Sequence, residues 1–134
     1  MRTEKKLELK RKRHAHVRRR VVGSALRPRM SVAFTNQHIY VQFIDDKAGV
    51  TIASVCTRPA PTNPMVKGAA NKVGAELIGR LAAEAALAKG VTEVVFDRGG
   101  NRFHWTAAKG GSGKPVYGKL ATLAQAARSA GLKF

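Results

Sequence analysis

The chain has 134 residues, 25 of them Lys or Arg against 8 Asp or Glu, for a formal net charge of +17. Hydrophobic residues make up 44% of it, which supports a folded core and excludes a purely disordered basic tail. Such an excess of positive charge opposes compaction and implies a polyanionic partner. Cys56, the single cysteine, excludes an internal disulfide and points to a reducing, cytoplasmic setting. No apolar run reaches the roughly 20 residues of a membrane span, and MRTEKKLELKRKRHAH lacks the apolar centre of a secretory signal.

Residues 1–30 hold 12 Lys or Arg against Glu4 and Glu8, a net of +10, while the other 104 residues carry only +7. With few apolar residues (Leu7, Leu9, Val17), this stretch reads as a basic extension over 1–28, poorly ordered or marginally helical when free. A compact domain is expected over 29–134. Met30, Val32 and Phe34 alternate with Ser31, Ala33 and Thr35, a period of two that predicts a strand. After a turn at Asn36 and Gln37, Ile39, Val41 and Phe43 share one face of a second strand, with Tyr40, Gln42 and Ile44 on the other. Asp45 to Gly49 is a turn signal, and Val50 to Cys56 makes a third strand. Connections this short predict an antiparallel meander, with neither face cleanly polar.

Pro59, Pro61 and Pro64 exclude a helix over residues 57–68. Val73, Leu77, Leu81 and Ala85 then recur at a spacing of four, joined by Ala70, Ile78 and Ala82, and predict a long helix stopped at Gly90. Val91 to Phe96 is β-branched and reads as a central strand reached by a helical crossover. A last helix is expected from about Gly118 to Ala130, with Leu120, Leu123, Ala124 and Ala127 inward, Gly131 as its stop, and Leu132 and Phe134 folding back. The fold class is therefore α/β: a small mixed sheet with an antiparallel N-terminal meander, a crossover helix, a central strand and a C-terminal helix, preceded by a basic extension.

Catalytic chemistry finds little support. GGSGKP at residues 110–115 lacks the first glycine of a phosphate loop, and Pro115 stands where a magnesium-binding hydroxyl is needed. His14 and His16 sit among cations that repel a metal dication, so no metal or cofactor is expected. Asp45 and Asp46 lie in a turn, where Asp serves local hydrogen bonds, and Cys56 reads as a small hydrophobe at a strand end. Asp97, Arg98, Gly99 and Gly100 follow a strand. They read equally as a ligand-approaching loop, in which Arg98 forks onto a phosphate, or as a tight loop whose Asp97 pairs with Arg98 or caps amides. The basic extension carries the strongest signal, because Lys and Arg contribute salt-dependent phosphate contacts. Tyr40, Phe103, His104, Trp105 and Tyr117 are candidate stacking surfaces for unpaired bases.

At this point the chain resembles the L-eighteen family of bacterial large-subunit ribosomal proteins. The resemblance lies in Arg27 to Val32, His38 to Gln42, Ile44 to Asp46 with Gly49, and Thr51 to Ser54. It continues through Ala70, Lys72, Val73 and Gly74, Val94 to Gly100, Leu123 to Arg128, and Ala130 to Phe134. It implies a structural, non-enzymatic protein that binds 5S rRNA and helps attach it to 23S rRNA in the central protuberance, beside the subunit's other 5S-binding protein. Carried over residue by residue, the resemblance implies phosphate contacts from Arg11, Lys12, Arg13, Arg18, Arg19, Arg20, Arg27 and Arg29. It implies an RNA-facing stretch of Thr35, Asn36, His38, Tyr40 and Gln42, and a loop contact from Arg98, Gly99 and Gly100. Either His104 or Tyr117 takes the family's aromatic-histidine position, because an inserted basic loop at about 106–116 separates them. The rivals are a magnesium-dependent nucleic-acid enzyme, which needs Asp45, Asp97 and a third acid to converge, and a generic DNA-compacting module.

Overall fold

The computed structural model describes residues 2–58, 70–106 and 115–134. Helix α1 (Thr3–Arg18) contains strong helix formers, and none of its residues is buried. Strands β1 (Arg29–Phe34), β2 (Ile39–Asp45) and β3 (Val50–Cys56) follow. β1 pairs antiparallel with β2, placing Val32 opposite Val41, and β2 pairs antiparallel with β3, placing Val41 opposite Val55. The pairing register shifts after Phe43, leaving Ile52 as the extra residue of a bulge. The expected meander is thus observed. Gly49, at φ 69°, closes the β2–β3 turn and donates its amide to the Asp45 carbonyl at 2.9 Å.

Helix α2 (Lys72–Ala88) carries the crossover, and β4 (Val95–Asp97) returns to the same sheet parallel to β1. The strand order is β3-β2-β1-β4, which places β4 at the margin where the β-branched run Val91 to Phe96 predicted a central strand. Only Val95 and Phe96 of that run pair with β1, followed by Asp97. The backbone on its far side is taken up by the C-terminus instead: the Val94 amide donates to the Lys133 carbonyl at 3.1 Å, and the Lys133 amide donates to Thr92 at 3.0 Å. Strands β5 (Trp105–Thr106) and β6 (Val116–Tyr117) form a small hairpin that leads into α3 (Lys119–Ser129). Most of the inserted loop expected at about 106–116 lies outside the described residues, as do Pro59, Pro61 and Pro64.

Met30, Val32, Ile39, Val41 and Phe43 fill one face of the sheet and pack against Ile78 of α2 and Leu120 and Leu123 of α3. The chain reverses at Gly131 (φ 114°), so that Leu132 is buried and Phe134 stacks on Phe96 with ring centroids 5.2 Å apart. In α2 the expected Ile78 and Ala82, with Ala70 just before the helix, are buried and Leu81 packs on the core, but Val73 and Leu77 at the start of the four-spaced row are exposed. Val73 is 75% exposed, and the buried side is Gly74, Ala75, Ile78, Gly79, Ala82, Ala83 and Ala86. A row at spacing four advances about 40° per step around the helix, so it spirals from the outside at Val73 toward the core at Ala85.

Small residues dominate the buried side because α3 lies very close to α2. A Cβ on Gly79 would stand 2.5 Å from the Leu123 carbonyl oxygen and 2.8 Å from Ala126 Cβ. In an exposed helix Gly→Ala stabilises by about 1 kcal/mol. Here the sign reverses, and Gly79→Ala is expected to cost about 1–3 kcal/mol through overpacking. Urea unfolding measures this directly, and a stabilised variant would contradict the close α2–α3 approach.

Candidate nucleic-acid interface

Helices α2 and α3 cover one face of the sheet, and side chains alternating with the core residues therefore point to the other. Ser31 lies opposite Gln42, Ala33 opposite Tyr40, Gln42 opposite Ser54, and Tyr40 opposite Cys56. None of these side chains is charged. Ala33, Gln42 and Ser54 are exposed, while Ser31, Tyr40 and Cys56 are half-buried. The His38 ring meets Tyr40 edge-on at 6.4 Å, giving this face two adjacent aromatic surfaces. The β1–β2 turn is held by the Thr35 amide donating to the His38 carbonyl at 2.9 Å and the His38 amide donating to Thr35 Oγ1 at 2.9 Å. Asn36 and Gln37 are thereby presented at an exposed tip.

A buried charge cluster lies at the β4 edge of this face. Arg29 opens β1 and is only 6% exposed. Its guanidinium forks onto Asp46, with Nε to Oδ2 and Nη2 to Oδ1 both 2.9 Å, and Nη1 reaches Asp97 Oδ2 at 2.8 Å. Asp97 is fully buried and also accepts the Gly99 amide at 2.9 Å. Arg29 is among the expected phosphate contacts, but it is buried and three of its N–H donors are engaged inside the protein. It acts as a structural arginine, joining the β2–β3 turn to the end of β4. The sequence offered no cue, because Asp46 is 17 residues away and Asp97 is 68 away. The expected local role of Asp in the turn holds for Asp45, whose Oδ1 accepts the Lys47 and Ala48 amides at 3.0 and 3.3 Å.

The Arg29 hydrogen bonds, followed by the Gly23 amide at 2.7 Å, hold the Asp46 carboxyl down to about 2 from its ordinary 3.8. The Arg29 guanidinium is raised further, first by Asp46 and then by Asp97 against the opposing effect of burial, so it stays charged. For a depressed acid, the stability contribution is complete above the unfolded value and is lost as pH falls through the folded one. Asp46→Asn is therefore expected to weaken the fold at neutral pH and to flatten the decline in stability between pH 3.8 and about 2. Acid titration followed by circular dichroism tests this, and an unaltered slope would contradict it.

The same cluster seats α1. Arg18 Nε and His14 Nε2 each lie 3.7 Å from Asp97 Oδ2. The backbone of α1 runs over Gly100, where a Cβ would come within 3.1 Å of the Lys10 carbonyl oxygen. Gly99 and Gly100, both expected in an RNA-contacting loop, adopt φ 61° and 76°. Gly100 is buried beneath α1, so its role here is to admit the helix, while Arg98 stays exposed beside it. Asp97 fulfils half of the tight-loop expectation: it caps an amide, yet pairs with Arg29 and not with Arg98.

Arg11, Arg13, Arg19, Arg20 and Arg27 are exposed, and Lys12 is paired with Glu8 at 2.6 Å on the surface, a contact worth little in water. The uncharged sheet face is thus flanked on one side by a helix of cations. His104 and Tyr117 fall elsewhere. Their hairpin packs on α3, and Trp105, which is 55% exposed, lines a small cleft there with Phe103, Tyr117, Gln125 and Arg128. Arg102 was not among the expected contacts, although it lines a cleft with Lys6, Leu9 and Arg13 of α1. Only the docking of α1 reveals it.

Among the described residues, no group of His, Cys, Asp and Glu is arranged to hold a metal ion, and no helix is long and apolar enough to cross a membrane. A family model described as ribosomal L18 of archaea, bacteria, mitochondria and chloroplast matches residues 4–134. A Synechococcus elongatus protein named "Large ribosomal subunit protein uL18" is 44% identical over 127 residues, covering 95% of both chains. Proteins of the same name from Bacillus cytotoxicus and Pseudothermotoga lettingae are 44% and 42% identical, covering 93% and 92% of this chain and 92% and 90% of theirs.

Proposed function

This chain belongs to the ribosomal L18 family, and on that premise we propose that it is a structural constituent of the large ribosomal subunit that binds 5S rRNA. It helps attach that RNA to 23S rRNA in the central protuberance, beside the other 5S-binding protein of the subunit. The observation that carries this reading is the pairing of an open, uncharged sheet face with a flanking cationic helix. The helix supplies phosphate contacts through Arg11, Lys12, Arg13, Arg18, Arg19 and Arg20, with Arg27 beyond it. The sheet face and its turn offer hydrogen-bonding and stacking groups in Thr35, Asn36, His38, Tyr40 and Gln42, suited to 2′-hydroxyls and splayed bases. Residues 1–28 act as the RNA-binding extension and residues 29–134 as the unit that positions it. His104 and Tyr117, on the opposite side, suit a second contact with rRNA or with a protein neighbour.

The test is binding to 5S rRNA, to a size-matched structured RNA and to duplex DNA across a salt series with magnesium present. A preference for 5S rRNA that survives rising salt is expected. Equal binding to all three, fading together with salt, would instead indicate a generic basic module. Magnesium-dependent cleavage would indicate an enzyme.

A further inference from the structure

The phosphate contacts proposed above lie along α1, but a second element also contributes to the cationic surface. Lys6, Leu9 and Arg13 lie at i, i+3 and i+7 of α1 and so share one flank of the helix. That flank faces Arg102, in the chain after β4, across a cleft of about 490 Å³. Leu9, 37% exposed, forms an apolar part of the wall. Among the described residues, Lys6, Arg13 and Arg102 make no ion pair, whereas Lys12 one turn away is bound to Glu8. Three unneutralised cations converging from two elements repel one another unless an anion lies between them. Their approach depends on Gly100, which admits the α1 backbone, and on Asp97, which attracts Arg18 and lies 3.7 Å from His14 Nε2.

We propose that this cleft is a phosphate clamp: Arg102 closes over a backbone phosphate of bound RNA that Lys6 and Arg13 approach from the helix. The guanidinium groups of Arg13 and Arg102 supply forked donors to the non-bridging oxygens, while Leu9 packs against the adjoining sugar. The clamp rests on the reading that the chain binds rRNA. It adds that the extension does not act as an independent charged tail, because one of its phosphates is shared with the folded domain.

The experiment compares the full chain with Arg102→Gln, Arg13→Gln and the double variant, measuring 5S rRNA affinity over a salt series. Arg102 is exposed, so circular dichroism is expected to show an unchanged fold. Each single change is expected to weaken binding roughly 5- to 10-fold and to reduce the salt slope by about 0.7–0.9, the value for one phosphate. The double variant is expected to lose little more than either single one, because the two arginines share a ligand. Wild-type affinity in Arg102→Gln, or losses that multiply in the double variant, would overturn the clamp. A chain that binds all RNAs equally yet shows the shared loss would keep the clamp and overturn the 5S assignment. A chain that binds no RNA would overturn both.

Discussion

Removal of residues 1–20 is expected to reduce affinity for 5S rRNA by roughly 10²- to 10³-fold at moderate salt and to lower the salt slope by about 4. The segment carries ten Lys or Arg against Glu4 and Glu8, close to half of the net charge of +17. Release of about five phosphate counterions produces a change of that size. None of the residues of α1 is buried, so the remaining chain keeps the contacts that form its core. Its thermal unfolding is accordingly expected to shift little. Unchanged affinity and slope would show that the sheet face alone holds the RNA. A large drop in melting temperature would show that α1 is part of the fold, beyond its contacts with Gly100 and Asp97.

Arg29→Ala is expected to have the opposite signature. Truncation leaves the fully buried Asp97 without its 2.8 Å partner and frees Asp46 from both of its 2.9 Å bonds. Removing one partner of a buried ion pair costs about 3–5 kcal/mol, because the remaining charge stays desolvated, here with only half-exposed Arg18 at 3.7 Å and the Gly99 amide beside it. Chemical denaturation at neutral pH is the measurement, and a loss below about 1 kcal/mol would contradict the structural role. The two roles separate cleanly in a paired measurement. A phosphate-contacting Arg29 would lower RNA affinity and salt slope at constant stability, whereas the internal Arg29 lowers stability first. Arg13 and Arg29 look equivalent in a list of basic residues, yet one faces solvent and the other is the hub of a three-residue ion cluster.

The strands of the meander were legible because period-two patterning is a local signal. Ile39, Val41 and Phe43 are all fully buried, as their alternation implied, and the Asp45 turn closes at Gly49. The last helix and the return of Leu132 and Phe134 were legible for similar reasons: an apolar face at helical spacing, then a glycine stop. The inward side of α2 was legible only in part: Ile78 and Ala82, with Ala70 just before the helix, are buried as expected. Its signal of large apolar residues pointed at Val73 and Leu77, whereas contact with α3 selects glycine and alanine, which carry little hydrophobic signal. The candidate site divides in the same way. The concentration of cations in the extension and the placing of Tyr40 and Gln42 on the strand face opposite the core could be read from charge and alternation, but the burial of Arg29 and the placing of Arg102 beside α1 could not.

By itself, then, the sequence determined the quantities that depend on neighbours along the chain. These are the net charge and its concentration before residue 30, the faces that β1 and β2 bury, the helix that crosses over, and the resemblance that the family match bears out. Only the tertiary structure decided which cations are free to meet a phosphate. Asp46 and Asp97 approach Arg29 through the β1–β2 and β1–β4 pairings, and Gly100 brings α1 beside Arg102. An arginine has the same charge wherever it stands, but its function depends on its nearest carboxylate and on its exposure to water. Both are set by contacts between residues distant in sequence, so local patterning does not encode them.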